Sequence, residues 1–67
     1  MRKTNHALQH AIVDSGRTQK QIARASKMLE PRLSSIIHGR LKPRAEEREA
    51  IALTLGKLPA ELFAEAS

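Results

Sequence analysis

Between Thr18 and Pro43 the chain starts a short helix twice and stops it twice. Few arrangements of a small protein satisfy both. Thr18 and Gln21 have the three-residue spacing of a capping box, in which a hydroxyl and an amide each satisfy a free backbone N–H at a helix start. Ile22 with Ala25 or Ser26 then falls on the inner side, and Ala23 is small enough for a second helix to cross closely. After a turn at Lys27 to Leu29, Glu30 is expected to cap the next helix. Pro31 would follow at its first position, where a missing N–H costs nothing. Leu33, Ile36 and Ile37 supply an apolar stripe, and Gly39 the stop. The pattern predicts two short helices joined by a tight turn, with Glu30, Pro31, Arg32, Ser34, Ser35 and His38 on the outer face of the second.

The flanks continue in the same periodicity. Leu8, Ala11, Ile12 and Ser15 share one face of a first helix from near Asn5 to Ser15, which Thr4 or Asn5 can cap and Gly16 can end. The loop Arg40-Leu41-Lys42-Pro43 leads to a fourth helix from about Arg44 to Leu55, with Ile51, Ala52 and Leu55 inward and Gly56 as its stop. Leu58, Leu62 and Phe63 belong to a last short helix that starts at Pro59, as a lid on the core or as a surface for a second copy. The expected fold is all-α, one compact domain of five helices over residues 1–67.

Chain length agrees with that economy. A domain this small buries only about 60% of the surface that its unfolded chain exposes, and without cysteine neither a disulfide nor a thiolate zinc site can support it. A reducing cytoplasm is the expected location, since no apolar run approaches the roughly 18 residues of a membrane span and no signal-peptide core follows Met1-Arg2-Lys3.

Charge is divided along the chain. Residues 1–44 carry ten Lys or Arg against Asp14 and Glu30, a balance of +8, whereas residues 45–67 carry Arg48 and Lys57 against five Glu, a balance of −3. A basic part beside an acidic one suits a polyanion met by one face, although ribosomal and membrane-surface proteins are also basic. The major groove of DNA admits one α-helix, whose side chains read base edges while flanking groups hold phosphates. Gln19, with the free N–H groups of the second helix's first turn at Thr18, could hold a phosphate. Arg40, Lys42 and Arg44 could grip the backbone on the other side of the groove. Residues 1–4 could add a basic arm or be a frayed terminus.

Thr18-Gln19, Ile22-Ala23, Leu33-Ser34, Ile36 and Gly39, a basic loop with Pro43, the helix end Ala52-Leu55-Gly56 and the closing Glu61-Leu62-Phe63 occur here in one order and spacing. In these residues the chain resembles the lambdoid phage repressor and Cro family of helix-turn-helix domains, also called the xenobiotic-response-element type, over about residues 6–63. The resemblance implies a five-helix domain that binds operator DNA, usually as a dimer, to repress or activate transcription. It also implies that Gln19 binds phosphate, that Glu30, Pro31 and Ser35 stand at base-reading positions, and that His38 and Arg40 contact the backbone.

The sequence departs from that family at the turn, where Lys27, Met28 and Leu29 replace a glycine, an apolar residue and a capping hydroxyl. Glu30 and Pro31 stand where amides are frequent. Arg32 and Ser35 are therefore the expected positive readers, with Glu30 acting by rejection. Ile37-His38 replaces the family's frequent Glu before the glycine.

Other chemistries are weaker. His6, His10 and Asp14 share one side of the first helix, but they lack a fourth ligand and the HExxH pattern, so a solvated face is the favoured reading over zinc. No serine has a Gly-rich elbow or a paired base, so no catalytic residue, cofactor or small-molecule ligand is expected. A protein-interaction module on the same fold, such as a toxin–antitoxin or phage control partner, remains the alternative to a double-stranded DNA binder. One domain reads about half a turn of groove, so a homodimer, in solution or only on DNA, is expected.

Overall fold

The computed structural model describes residues 4–63, and the basic arm expected at residues 1–4 therefore lies, but for Thr4, outside the described residues. Five helices follow in the expected order, α1 (His6–Asp14), α2 (Gln19–Ala25), α3 (Glu30–Ile37), α4 (Ala45–Leu55) and α5 (Pro59–Phe63), with no strand among the described residues.

The main helix contacts form a closed ring in which α1 packs on α3, α3 on α2, α2 on α4, α4 on α5 and α5 on α1. Inside it the largest fully buried side chains are Leu8, Ile22, Leu33, Ile37 and Ile51, so α1 to α4 each contribute a branched aliphatic residue. Full burial of such a side chain stabilises by about 1.5–3 kcal/mol, and these five form the centre of a core that Leu62 and Phe63 of α5 close. Leu58 is exposed, so the lid is Leu62 and Phe63 alone.

Asn5 holds the ring at one point. Its Oδ1 accepts from the Leu8 N–H at 3.0 Å and caps α1, its Nδ2 donates to the Leu62 carbonyl of α5 at 2.8 Å, and its backbone N–H donates to the Ile37 carbonyl of α3 at 2.7 Å. One residue thus joins three helices that are distant in sequence. On the opposite side of the ring, Ser26 after α2 is buried and meets Thr54 of α4 with the two hydroxyl oxygens 3.2 Å apart. Thr54 already donates its single hydroxyl hydrogen to the Ala50 carbonyl at 2.8 Å. Ser26 is therefore the donor in that pair. Of the two inner positions considered for α2, Ser26 is the buried one and Ala25 is exposed. Ser15 also lies outside rather than on the inner stripe, because its Oγ ends α1 by donating to the Ile12 carbonyl at 2.6 Å and accepting the Arg17 N–H at 3.1 Å.

The capping box at α2 has both bonds, Gln21 N–H to Thr18 Oγ1 at 3.1 Å and Thr18 N–H to Gln21 Oε1 at 2.9 Å. At α3 the expected cap moves by one residue. Leu29, with extended backbone, is the N-cap and makes no side-chain bond, Glu30 is the first helical residue, and Pro31 is the second. The Leu33 N–H reaches the Leu29 carbonyl at 3.1 Å, so the helix begins a residue early and the Glu30 carboxylate is released from capping.

The end of α2 is unusual. Lys27 takes a left-handed backbone, φ 59°, and is the one non-glycine residue to do so among those described. Its N–H donates to the Arg24 carbonyl at 3.1 Å and the next N–H, of Met28, to the Ala23 carbonyl at 2.9 Å. These are the paired bonds of a Schellman motif. Gly39 ends α3 with the same bonds, but without a Cβ to strain it: its N–H reaches the Ile36 carbonyl at 3.2 Å and the Arg40 N–H reaches Ser35 at 2.9 Å.

Candidate nucleic-acid interface

Four residues, 26–29, separate α2 from α3, and the two helices pack directly on each other. Leu33, Ile36 and Ile37 face the core, so the rest of α3 is turned outward by the same packing. Glu30 and Pro31 are exposed there, while Ser34, Ser35 and the helix-ending His38 are half-buried.

The loop after α3 alternates. Leu41 and Pro43 are half-buried, with Leu41 packed against the core, whereas Arg40, Lys42 and Arg44 are exposed. An apolar anchor at every second residue therefore presents three cations outward. The loop is held at its ends by two backbone donors, Arg40 N–H to the Ser35 carbonyl at 2.9 Å and Arg44 N–H to the Glu47 side-chain Oε1 at 2.8 Å. Arg48 Nη1 donates to the Pro43 carbonyl at 3.3 Å between them. Neither Glu47 nor Arg48 was among the residues expected to matter. The signal for Glu47 was its position three residues after Arg44, the spacing at which a Glu reaches back to a helix start.

Glu47 also changes the reading of Arg32. The Arg32 guanidinium is paired with that carboxylate along one edge through two bonds, Nε to Oε2 and Nη2 to Oε1, the latter at 3.0 Å. Hydrogen bonding to Glu47 raises the affinity of Arg32 for its proton, and the bond from Arg32 holds the Glu47 carboxyl below the usual carboxylate range. Arg32, expected as a leading base reader, is tied to α4 by this pair, because the fold sets the first turns of α3 and α4 within reach of each other's side chains.

In the same first turn of α3, the half-buried Gln19 donates from Nε2 to Glu30 Oε2 at 3.3 Å. The first residues of α2 and α3 are thereby joined across the turn. Since an ionised carboxylate only accepts, the amide nitrogen must be the atom facing it. Thr18, expected beside Gln19 as a phosphate ligand, has its hydroxyl oxygen engaged by the Gln21 N–H. His6, His10 and Asp14 are exposed on α1, and among the described residues no three His, Asp or Glu side chains are grouped so as to hold a metal ion. No helix among the described residues is long and apolar enough to cross a membrane.

Comparison of the chain with protein-family models, with curated proteins and with solved structures finds no match in any of the three. The all-α fold and the arrangement of these side chains are what bear on function.

Proposed function

We propose that this domain is a sequence-specific double-stranded DNA-binding transcriptional regulator, a non-enzymatic cytoplasmic repressor of the phage repressor and Cro type acting at an operator. In this reading α2 and α3 form the helix-turn-helix, and the exposed face of α3 enters the major groove. The observation that carries it is the alternation after α3, which sets Arg40, Lys42 and Arg44 outward immediately beside a short polar helix face. Cations there meet phosphates on one side of the groove, with Gln19 at the other edge and His38 at the helix end. Occupancy of the operator blocks or recruits polymerase. Two copies are needed to read half-sites about 34 Å apart, so the working form is a homodimer, assembled in solution or on the DNA.

The test is fluorescence anisotropy of a labelled duplex from upstream of the protein's own gene, beside a scrambled duplex, over a salt series. Preference for the upstream duplex that persists as salt rises supports the reading. In Arg40→Ala/Lys42→Ala, affinity should fall for both duplexes and the slope of log K against log salt should become shallower by about 2 per bound copy. An unchanged slope with intact folding would move the assignment to a protein-docking module on the same fold.

A further inference from the structure

We infer that Glu30, held by Gln19, is a specificity-determining residue that selects cytosine at one position of each half-site. The inference rests on the DNA-binding reading above and deepens it by naming the base that the site takes. Three features of the structure carry it. First, Glu30 is the exposed first residue of α3, where a side chain of a groove-bound helix reaches base edges. Second, its carboxylate is engaged on one side only: Gln19 donates to Oε2 at 3.3 Å, which biases the side chain toward α2 and leaves Oε1 to accept from another donor. Third, the cation that would otherwise dominate this face, Arg32, has its Nε/Nη2 edge on Glu47.

The remaining chemistry is one of exclusion. Guanine shows two acceptors in the major groove and thymine an acceptor beside a methyl group, so both set lone pairs against the carboxylate. Adenine offers an amino group, but with the N7 acceptor adjacent to it. Cytosine alone presents the N4 amino donor without a neighbouring acceptor on the same base. A carboxylate therefore favours cytosine, tolerates adenine less well and repels guanine and thymine, and the Gln19 amide biases its position.

The experiment is selection of bound duplexes from a random library, with sequencing of the bound fraction, using the full chain and the variants Glu30→Gln, Glu30→Ala and Gln19→Ala. Circular dichroism confirms that each exposed or half-exposed substitution leaves the helices intact. The wild type should prefer cytosine by about tenfold at one position of each half-site. Glu30→Gln should move the preference at that position alone to adenine, because an amide both donates and accepts. Glu30→Ala should abolish it while raising affinity overall through loss of a charge that phosphates repel, and Gln19→Ala should keep cytosine with a smaller ratio. A wild-type motif that Glu30→Gln leaves unchanged overturns this inference and spares the DNA-binding reading. No motif from the wild type overturns the DNA-binding reading and this inference with it.

Discussion

Replacing Lys27 by glycine should make the protein more stable, although it removes a side chain. Lys27 sits at φ 59°, where a Cβ crowds the following carbonyl and costs about 1–2 kcal/mol. Glycine escapes that cost but adds freedom to the unfolded chain, worth about 0.4–1 kcal/mol in the opposite direction. The two bonds that end α2, from Lys27 N–H to Arg24 and from Met28 N–H to Ala23, are backbone bonds and survive the substitution. The net gain is about 0.5–1 kcal/mol, which in a domain of this size raises Tm by about 2–8 °C. Thermal unfolding followed by circular dichroism at 222 nm measures it directly. Lys27→Ala is the control, because it removes the same positive charge from a chain of net charge +5 while keeping the Cβ. If alanine stabilises as much as glycine, relief of charge repulsion and not of backbone strain is responsible. If glycine destabilises, the left-handed geometry at the end of α2 is wrong.

Three further outcomes follow from particular bonds. Asn5→Ser keeps an oxygen to cap α1 but loses the bond to the Leu62 carbonyl, and should cost about 1 kcal/mol in urea denaturation. Asn5→Ala loses both and should cost about 2 kcal/mol; equal values for wild type and serine would show that the tie to α5 carries nothing. Thr54→Val leaves the buried Ser26 hydroxyl without its acceptor and should cost about 1–2 kcal/mol, whereas the double variant with Ser26→Ala should be less destabilised than the sum of the singles. Glu47→Gln should lower Tm at neutral pH. Because the Glu47 carboxyl is held below the usual range in the folded state, its contribution is full above the unfolded-state value of about 4.3 and is lost as pH falls through the lower folded one. Wild type and Glu47→Gln should therefore converge in acid, and a gap that stays constant down to the lowest pH at which the fold persists would refute the ion pair's role.

The helices were legible because their starts and stops are local. Thr18 with Gln21, Asn5 before α1 and Gly39 after α3 each act on residues within a turn of themselves, and each does in the structure what its spacing implied. The start of α3 was less legible, since no side chain marks it: Leu29 occupies the N-cap by virtue of its backbone alone. Arg32 was not legible at all in this sense. Its partner is fifteen residues away on another helix, and whether a guanidinium meets a carboxylate there depends on where the fold sets the starts of α3 and α4, not on any interval in the sequence. The bond from Gln19 to Glu30 has the same character, spanning the turn between two helix starts. The alternation of Arg40, Lys42 and Arg44 with Leu41 and Pro43 is local and was present as a pattern, but its meaning depends on Leu41 finding the core.

That difference decides which residues can test function cleanly. Arg40, Lys42 and Glu30 are exposed, and none belongs to the buried core. Their substitution can change what the surface binds while leaving the ring of helices in place, because surface changes away from caps and networks typically alter stability by less than about 0.5 kcal/mol. Arg32 is different, since its removal leaves Glu47, which also receives the Arg44 N–H, without its paired cation. A loss of binding in Arg32→Ala would thus combine the loss of a donor with the loss of the tie between α3 and α4. Glu47→Gln separates the two: it keeps an acceptor for the Arg44 N–H while freeing the guanidinium. If the ion pair withholds Arg32 from the groove, Glu47→Gln should bind DNA more tightly and with a steeper salt dependence, by about one unit of slope per copy. Weaker binding at the same slope would show instead that Arg32 serves to brace α3 against α4.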